Sequence, residues 1–353
     1  MRTLSRREWA KAAAAAAALT ASGARARPAP PAPPHDLSFI ASELRPDAEK
    51  LLAMMASFPQ LSASGLAVMR NASAAFGRSP LSAPRFEQRV VKGSAGAPDV
   101  TVYVINAEAS ANRPAILHTH GGGYVMGSAR SNIGDLQTLA ASVDCTIVTV
   151  EYRLAPETTF AGSIEDNYAA LRWLHDNAAE LGVDARRIAV MGESAGGGHA
   201  ALLALAARDR GEVPLVYQVL IYPMLDDRTG LTRQPPGPIG TVLWTAKENR
   251  FGWRSFLGRE PGGWGVPARA VPARYKSLAG LPPAFIGVGS VDLFVDEDVD
   301  YARRLIDSGV PTELVVVPGA FHGFDGIAPE TEVAKSFTAT KVAALRRAFA
   351  AVS

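Results

Sequence analysis

The chain has 353 residues, 48% of them hydrophobic and 20% charged, with 32 glycines and 25 prolines. That composition is globular and long enough to bury a sizeable core, which excludes a disordered chain, a collagen and a small disulfide scaffold. The formal charge of +2 offers no broad basic face for nucleic acid, and the single cysteine, Cys145, excludes an intramolecular disulfide.

The N-terminus is a charged segment containing Ser5-Arg6-Arg7-Glu8-Trp9, followed by alanines from Ala12 to Ala18 and by Leu19-Thr20. Ala24-Arg25-Ala26, or alternatively Ser22-Gly23-Ala24, offers a cleavage site. That order predicts a signal peptide of the twin-arginine type over 1–26, whose apolar stretch is too short to span a bilayer. The expected location is periplasmic or secreted, and cytoplasmic if the signal is not used. Residues 1–26 carry a net +4, so the remainder carries −2. Pro28-Ala-Pro-Pro-Ala-Pro-Pro34 makes 27–36 an extended linker. No later run is apolar and long enough for a membrane span, and no stable span is expected after signal removal.

Residues 37–86 read as short helical pieces. Strands are expected at 88–92, 98–105, 114–119, 145–151, 187–192, 215–221, 283–289 and 312–318, and helices at 129–142, 163–181, 195–209, 296–308 and 330–350. The runs 114–119, 145–151 and 187–192 are continuously apolar, as strands buried on both faces of a mostly parallel sheet should be. The first two strands have no helix between them and should pair antiparallel at one edge. The alternation gives an α/β class with helices flanking the sheet. Residues 226–275, dense in Gly, Pro and aromatics, interrupt it and read as an insertion above the sheet. One domain, 37–353, is expected, with a helical cap from 37–86 and 226–275.

Gly192-Glu193-Ser194-Ala195-Gly196 lies between a strand-like and a helix-like segment. Such a turn holds its serine in strained geometry and aims it at a helix N-terminus, where developing negative charge is favoured. Gly192 and Gly196 let the chain pass closely. His120-Gly121-Gly122-Gly123-Tyr124 follows the strand ending at Thr119. Three glycines cost entropy and suit a backbone that must present N–H groups to an oxyanion. Gly122, Gly123 and Ala195 are the expected donors, with His120 and Gly121 shaping the loop. The Lys-Ser/Thr ending of a phosphate loop is missing. Of the six histidines, His322 follows the last strand, where sites of parallel sheets form, and is the expected base. Asp292 ends the preceding strand and is the expected acid, with Asp296 in reserve. Asp296, Glu297 and Asp298 read as charges complementing a helix N-terminus.

Together these residues resemble the hormone-sensitive-lipase-like carboxylesterases, the bacterial family IV branch of the α/β-hydrolase fold. The resemblance runs from about residue 85 to the C-terminus. It also carries Glu151-Tyr-Arg-Leu-Ala-Pro-Glu157, Ile164-Glu-Asp166, Ala273 to Pro283, and Asp292-Leu-Phe-Val-Asp-Glu297. It implies an eight-stranded, mostly parallel sheet, a Ser194-His322-Asp292 triad, an oxyanion hole at Gly122, Gly123 and Ala195, and no cofactor or metal. Glu193 stands where Asp or Thr is usual, and Phe294 where Leu is common. Relatives of the fold often dimerise through the last strand, here 312–318.

The function expected is hydrolysis of small carboxylic esters with short to medium acyl chains, through an acyl-enzyme. Trp244 and Trp253 are candidates for the pocket wall, with core packing as their other reading. Two alternatives remain: an amide or aryl-formamide hydrolase on the same site, and a non-catalytic small-molecule-binding protein of the same fold.

Overall fold

A computed structural model describes residues 36–74, 77–94 and 96–352, so the leader and most of the linker lie outside the described residues. Eight strands form one sheet in the order β1-β2-β4-β3-β5-β6-β7-β8. They are β1 Phe86–Val91, β2 Val100–Ile105, β3 Arg113–Thr119, β4 Thr146–Glu151, β5 Val183–Glu193, β6 Tyr217–Ile221, β7 Ala284–Gly289 and β8 Thr312–Val317. β2 runs antiparallel to β1 and β4, and every other pairing is parallel. Of the expected strands, the one at 187–192 gains most: β5 starts four residues earlier, where Val183 pairs with Arg113.

The side-chain period of two divides the core between the sheet faces. Leu117, Val148, Val150, Ile188 and Val190 point to one face. There they meet α4 (Phe160–Asp176), α5 (Ala195–Arg210) and α7 (Val295–Asp307) through Leu171, Leu202 and Leu305. Ile116, Ile147, Ala189 and Met191 point to the other face. There they meet α3 (Ile133–Val143) and α9 (Glu332–Ala350) through Leu139, Phe337 and Leu345. α5 is buried nearly all round because Ala and Gly let it lie close against the sheet. Among the described residues no helix is long and apolar enough to cross a membrane.

Two segments reach the sheet's C-terminal edge. α1 (Arg45–Met55) buries Leu51 in the second core, and α2 (Leu66–Ala74) sends Arg70 to the carbonyls of Val125 and Ala155. In the 226–275 insertion, α6 (Ala246–Leu257) starts at a capping box between Thr245 and Glu248. It places Gly252 against the Gly123 carbonyl, where an added Cβ would lie 2.6 Å away. The short helix α8 (Phe324–Ile327) follows directly after His322-Gly323.

Candidate active site

Ser194 sits between β5 and α5 with φ 56° and ψ −121°, a backbone region that L-residues avoid. Its neighbours hold it there. The Ser194 N–H donates to the Ile221 carbonyl at 2.9 Å, and its own carbonyl accepts from Met224 and Gly198. A Cβ on Gly196 would lie 2.0 Å from the Thr119 carbonyl oxygen, and one on Gly192 would lie 2.4 Å from Gly196. The two flanking glycines are therefore required by close approach of β3 to the turn.

His322 Nε2 lies 2.9 Å from Ser194 Oγ, and His322 Nδ1 lies 2.7 Å from Asp292 Oδ2. The second carboxylate oxygen of Asp292 accepts the Phe294 N–H at 2.9 Å. Asp292 is fully buried and is supplied from the loop after β7, as chain order led one to expect. Asp296, the reserve acid, is exposed. The ring of His322 lies between the edges of Tyr222 and Phe294, with centroids at 4.8 and 5.2 Å. With Asp292 ionised, Nδ1 carries the proton and Nε2 is left to accept from Ser194.

The glycine loop is built as a cradle. Gly122 and Gly123 have φ of +124° and +59°, and a Cβ at Gly123 would strike the Trp244 ring at 2.1 Å. Val125 and Met126 donate back to the Gly122 carbonyl. The N–H groups of Gly122, Gly123 and Ala195 donate to no acceptor among the described residues. His120 Nδ1 bonds to the Gly121 carbonyl at 2.8 Å, while Nε2 is buried without a partner. Burial pushes the His120 ring down to about 4, so it is neutral at pH 7.

The Glu151–Glu157 segment supports this loop from behind. Tyr152 Oη donates to the His120 carbonyl at 2.6 Å, and Glu151 accepts the Ala129 N–H. Arg153 grips the buried Asp166 of α4 through Nε and Nη2, and Glu157 pairs with Arg70. Tyr124 Oη donates to the Met224 carbonyl, linking the loop to the turn after β6. None of these long-range partners has a local sequence signal.

Of the two readings open for the tryptophans, core packing holds for Trp253, fully buried among Tyr124 and Phe256, whereas Trp244 lines the cavity and is held by Asn249. One expectation needs correction. Glu297 and Asp298 are not solvated helix-end charges but are buried. Glu297 accepts the Leu225 and Asp226 N–H groups and so pins the turn after β6. Burial raises both carboxyls well above the ordinary range, Glu297 further by the charge of Asp226 and Asp298 by that of Glu297. His199 is buried beside Tyr124 and Tyr152 with both ring nitrogens unpartnered. His118 is a buried strand residue that also reaches the site, with Nε2 2.8 Å from Glu193 Oε2 and Nδ1 2.9 Å from Thr149 Oγ1. No cluster of His, Cys, Asp and Glu among the described residues could hold a metal ion. Cys145 is buried, and burial pushes its thiol up, so it stays protonated.

Ser194, His322, the three glycines and Trp244 line one cavity of about 440 Å³. A serine hydroxyl, an imidazole bonded to a buried carboxylate, and unspent backbone donors face the same space.

The α/β-hydrolase fold family model matches residues 116–326. The chain is 36% identical over 320 residues to carboxylesterase NlhH of Mycobacterium tuberculosis, an overlap of 86% of this chain and 97% of that protein. It is 38% identical over 239 residues to esterase LipI of the same organism, covering 67% and 73% of the two chains. A solved bacterial heroin esterase superposes with a TM-score of 0.80 at 33% identity, over 89% of this chain and 99% of that one. The fold, the motif order and these matches agree: the chain belongs to the α/β-hydrolase family, in its hormone-sensitive-lipase-like, bacterial family IV branch.

Proposed function

We propose that the protein is a serine carboxylesterase working through Ser194, His322 and Asp292. The observation that carries this is the continuous hydrogen-bonded path from Ser194 Oγ through His322 to the buried Asp292, opening onto a cavity. His322 takes the Ser194 proton as Oγ adds to the ester carbonyl. The oxyanion is met by the N–H groups of Gly122, Gly123 and Ala195. Collapse expels the alcohol, protonated by His322. Water, deprotonated by the same ring, then releases the acid. Names of relatives such as ethyl acetate hydrolase and arylesterase support small esters as substrates. The cavity volume, and Trp244 standing over Gly123, favour short to medium acyl chains.

The test is Ser194→Ala, which should fold, resist labelling by an organophosphonate probe and lose p-nitrophenyl butyrate hydrolysis. Undiminished hydrolysis in that variant would overturn the assignment. We further propose that residues 1–26 direct export of the folded enzyme, a reading supported by Ser5-Arg6-Arg7-Glu8-Trp9 and the Ala24-Arg25-Ala26 site. Arg6→Lys with Arg7→Lys should trap activity in the cytoplasm, and unchanged export would refute it.

A further inference from the structure

The cavity at Ser194 continues past the triad into a polar arm on the α3/α9 face of the sheet. There it is lined by His118, Glu193, Tyr222, Asp325, Asp135 and Lys341. Three of these groups are carboxylates, and each has a partner of its own. Glu193 bonds to His118, Asp325 accepts from Tyr222 Oη at 2.9 Å, and Asp135 pairs with Arg78 at 3.1 Å. Burial alone would raise the Glu193 carboxyl, but the charge and hydrogen bond of His118, helped by Lys341, hold it below the usual range.

Lys341 is different. It lies on α9, is only 8% exposed, and is ion-paired with Asp325 without a hydrogen bond between them. Its nearest carboxylate oxygen, Asp325 Oδ2, is 3.8 Å away, beyond hydrogen-bond reach. Nζ makes no hydrogen bond among the described residues, and its other neighbour is the Phe337 ring, 6.0 Å away. The ammonium therefore presents N–H donors to the catalytic cavity that the protein does not use. Nζ opens onto the cavity space, and an acceptor brought there by a ligand gains a charge-assisted hydrogen bond. The carboxylates of Asp325, at 3.8 Å, and Glu193 argue against an anion as that acceptor, because they already offset the ammonium charge. A purely apolar chain would leave Lys341 stranded.

We propose that Lys341 is a specificity residue whose ammonium donates to an uncharged oxygen carried by the substrate away from the scissile carbonyl. The preferred substrates are then esters whose acyl or alcohol chain bears an ether, hydroxyl or keto oxygen. The inference rests on Ser194 being the nucleophile. The arm is connected to the triad: the Tyr222 ring packs on His322 and its hydroxyl meets Asp325, three residues after His322.

The experiment is an oxygen walk. In one arm, p-nitrophenyl hexanoate is compared with its 3-oxa, 4-oxa and 5-oxa analogues; in the other, hexyl acetate with its oxa analogues. Each oxa-to-methylene ratio of kcat/KM is measured in the parent, Lys341→Met and Lys341→Gln, with active sites counted by an organophosphonate. Intrinsic ester reactivity cancels between proteins. At one oxygen position the ratio should fall by about tenfold in Lys341→Met and by less in Lys341→Gln, the loss of one charge-assisted hydrogen bond. The arm in which it falls identifies which half of the ester enters. Ratios unchanged at every position in both arms would overturn the proposal. So would a Lys341-dependent preference for the p-nitrophenyl monoester of adipate, which would make the arm an anion site. If neither variant folds, the parent decides. Normalised to hydroxide rates, one oxa ester must exceed its methylene counterpart, and a methylene preference throughout refutes the idea. Ser194→Ala run alongside separates this failure from failure of the triad, since only the latter leaves that variant active.

Discussion

Tyr152 and His120 are locked together twice: their rings stack with centroids 4.2 Å apart, and the tyrosine hydroxyl donates to the histidine's carbonyl at 2.6 Å. That carbonyl belongs to the peptide leading into Gly121, so the hydroxyl fixes the start of the oxyanion loop. Tyr152→Phe keeps the stack and removes only the donor, leaving a buried carbonyl unmet at about 1–3 kcal/mol. The variant should lower kcat about tenfold with a smaller change in KM, since the loop donors serve the transition state. Steady-state kinetics on p-nitrophenyl butyrate checks this, and an effect confined to KM would contradict it.

Gly196, beside Ser194, differs sharply from Gly263 in the insertion. A Cβ on Gly196 would lie 2.0 Å from the Thr119 carbonyl oxygen, and neither backbone can retreat from the sheet. On Gly263 it would meet nothing within 4 Å. Gly196→Ala should destabilise the fold by about 3 kcal/mol or more and abolish activity. Gly263→Ala should change stability by less than about 0.5 kcal/mol. Thermal melts of the two variants are the measurement, and equal melting temperatures would show that the elbow has slack.

In the proposed triad Asp292, 2.7 Å from His322 Nδ1, acts by orientation and by charge. Asp292→Asn preserves shape but offers an amide where Nδ1–H needs an acceptor, which favours the wrong tautomer. The expected loss is about 10⁴-fold in kcat, with organophosphonate labelling slowed in proportion. A loss below about tenfold would point to another acid and reopen the assignment of Asp292.

Much of this was legible in the sequence because it rests on local chemistry. Apolar runs such as Ala115–Leu117 and Ile188–Met191, bounded by turn residues, fit doubly covered strands, and Ser194, Asp292 and His322 each follow a strand. What was not legible shares a cause. Glu297 and Asp298 look like helix-end charges because that rule sees only their own helix, whereas both are buried and Glu297 bonds to the turn after β6. Trp244 and Trp253 lie nine positions apart in one insertion, and nothing nearby tells which one faces the cavity. Lys341 carries no sequence signal of its own, because its place in the cavity depends on α3 and α9 lying side by side.

Two buried histidines, His199 and His120, should make the fold sensitive to acid. Burial pushes His199 down to about 3, with the charge of His120 adding to the effect. Burial likewise pushes His120 down to about 4, against its hydrogen bond to Gly121. An unfolded histidine titrates near 6.5, so between these values the unfolded chain binds more protons and stability rises with pH. The contribution is fully present above about pH 6.5 and is lost as pH falls toward 4 and 3. Each ring gives a slope of about 1.4 kcal/mol per pH unit, so the pair should remove about 3–4 kcal/mol between pH 6.5 and 5. His199→Leu deletes one of the two and removes two unpartnered nitrogens. It should halve that acid sensitivity while leaving stability at pH 7.5 equal or higher, because no hydrogen bond is lost. Urea midpoints at pH 7.5, 6.5, 5.5 and 5.0 decide it: a variant as acid-sensitive as the parent would mean that His199 is protonated in the folded state.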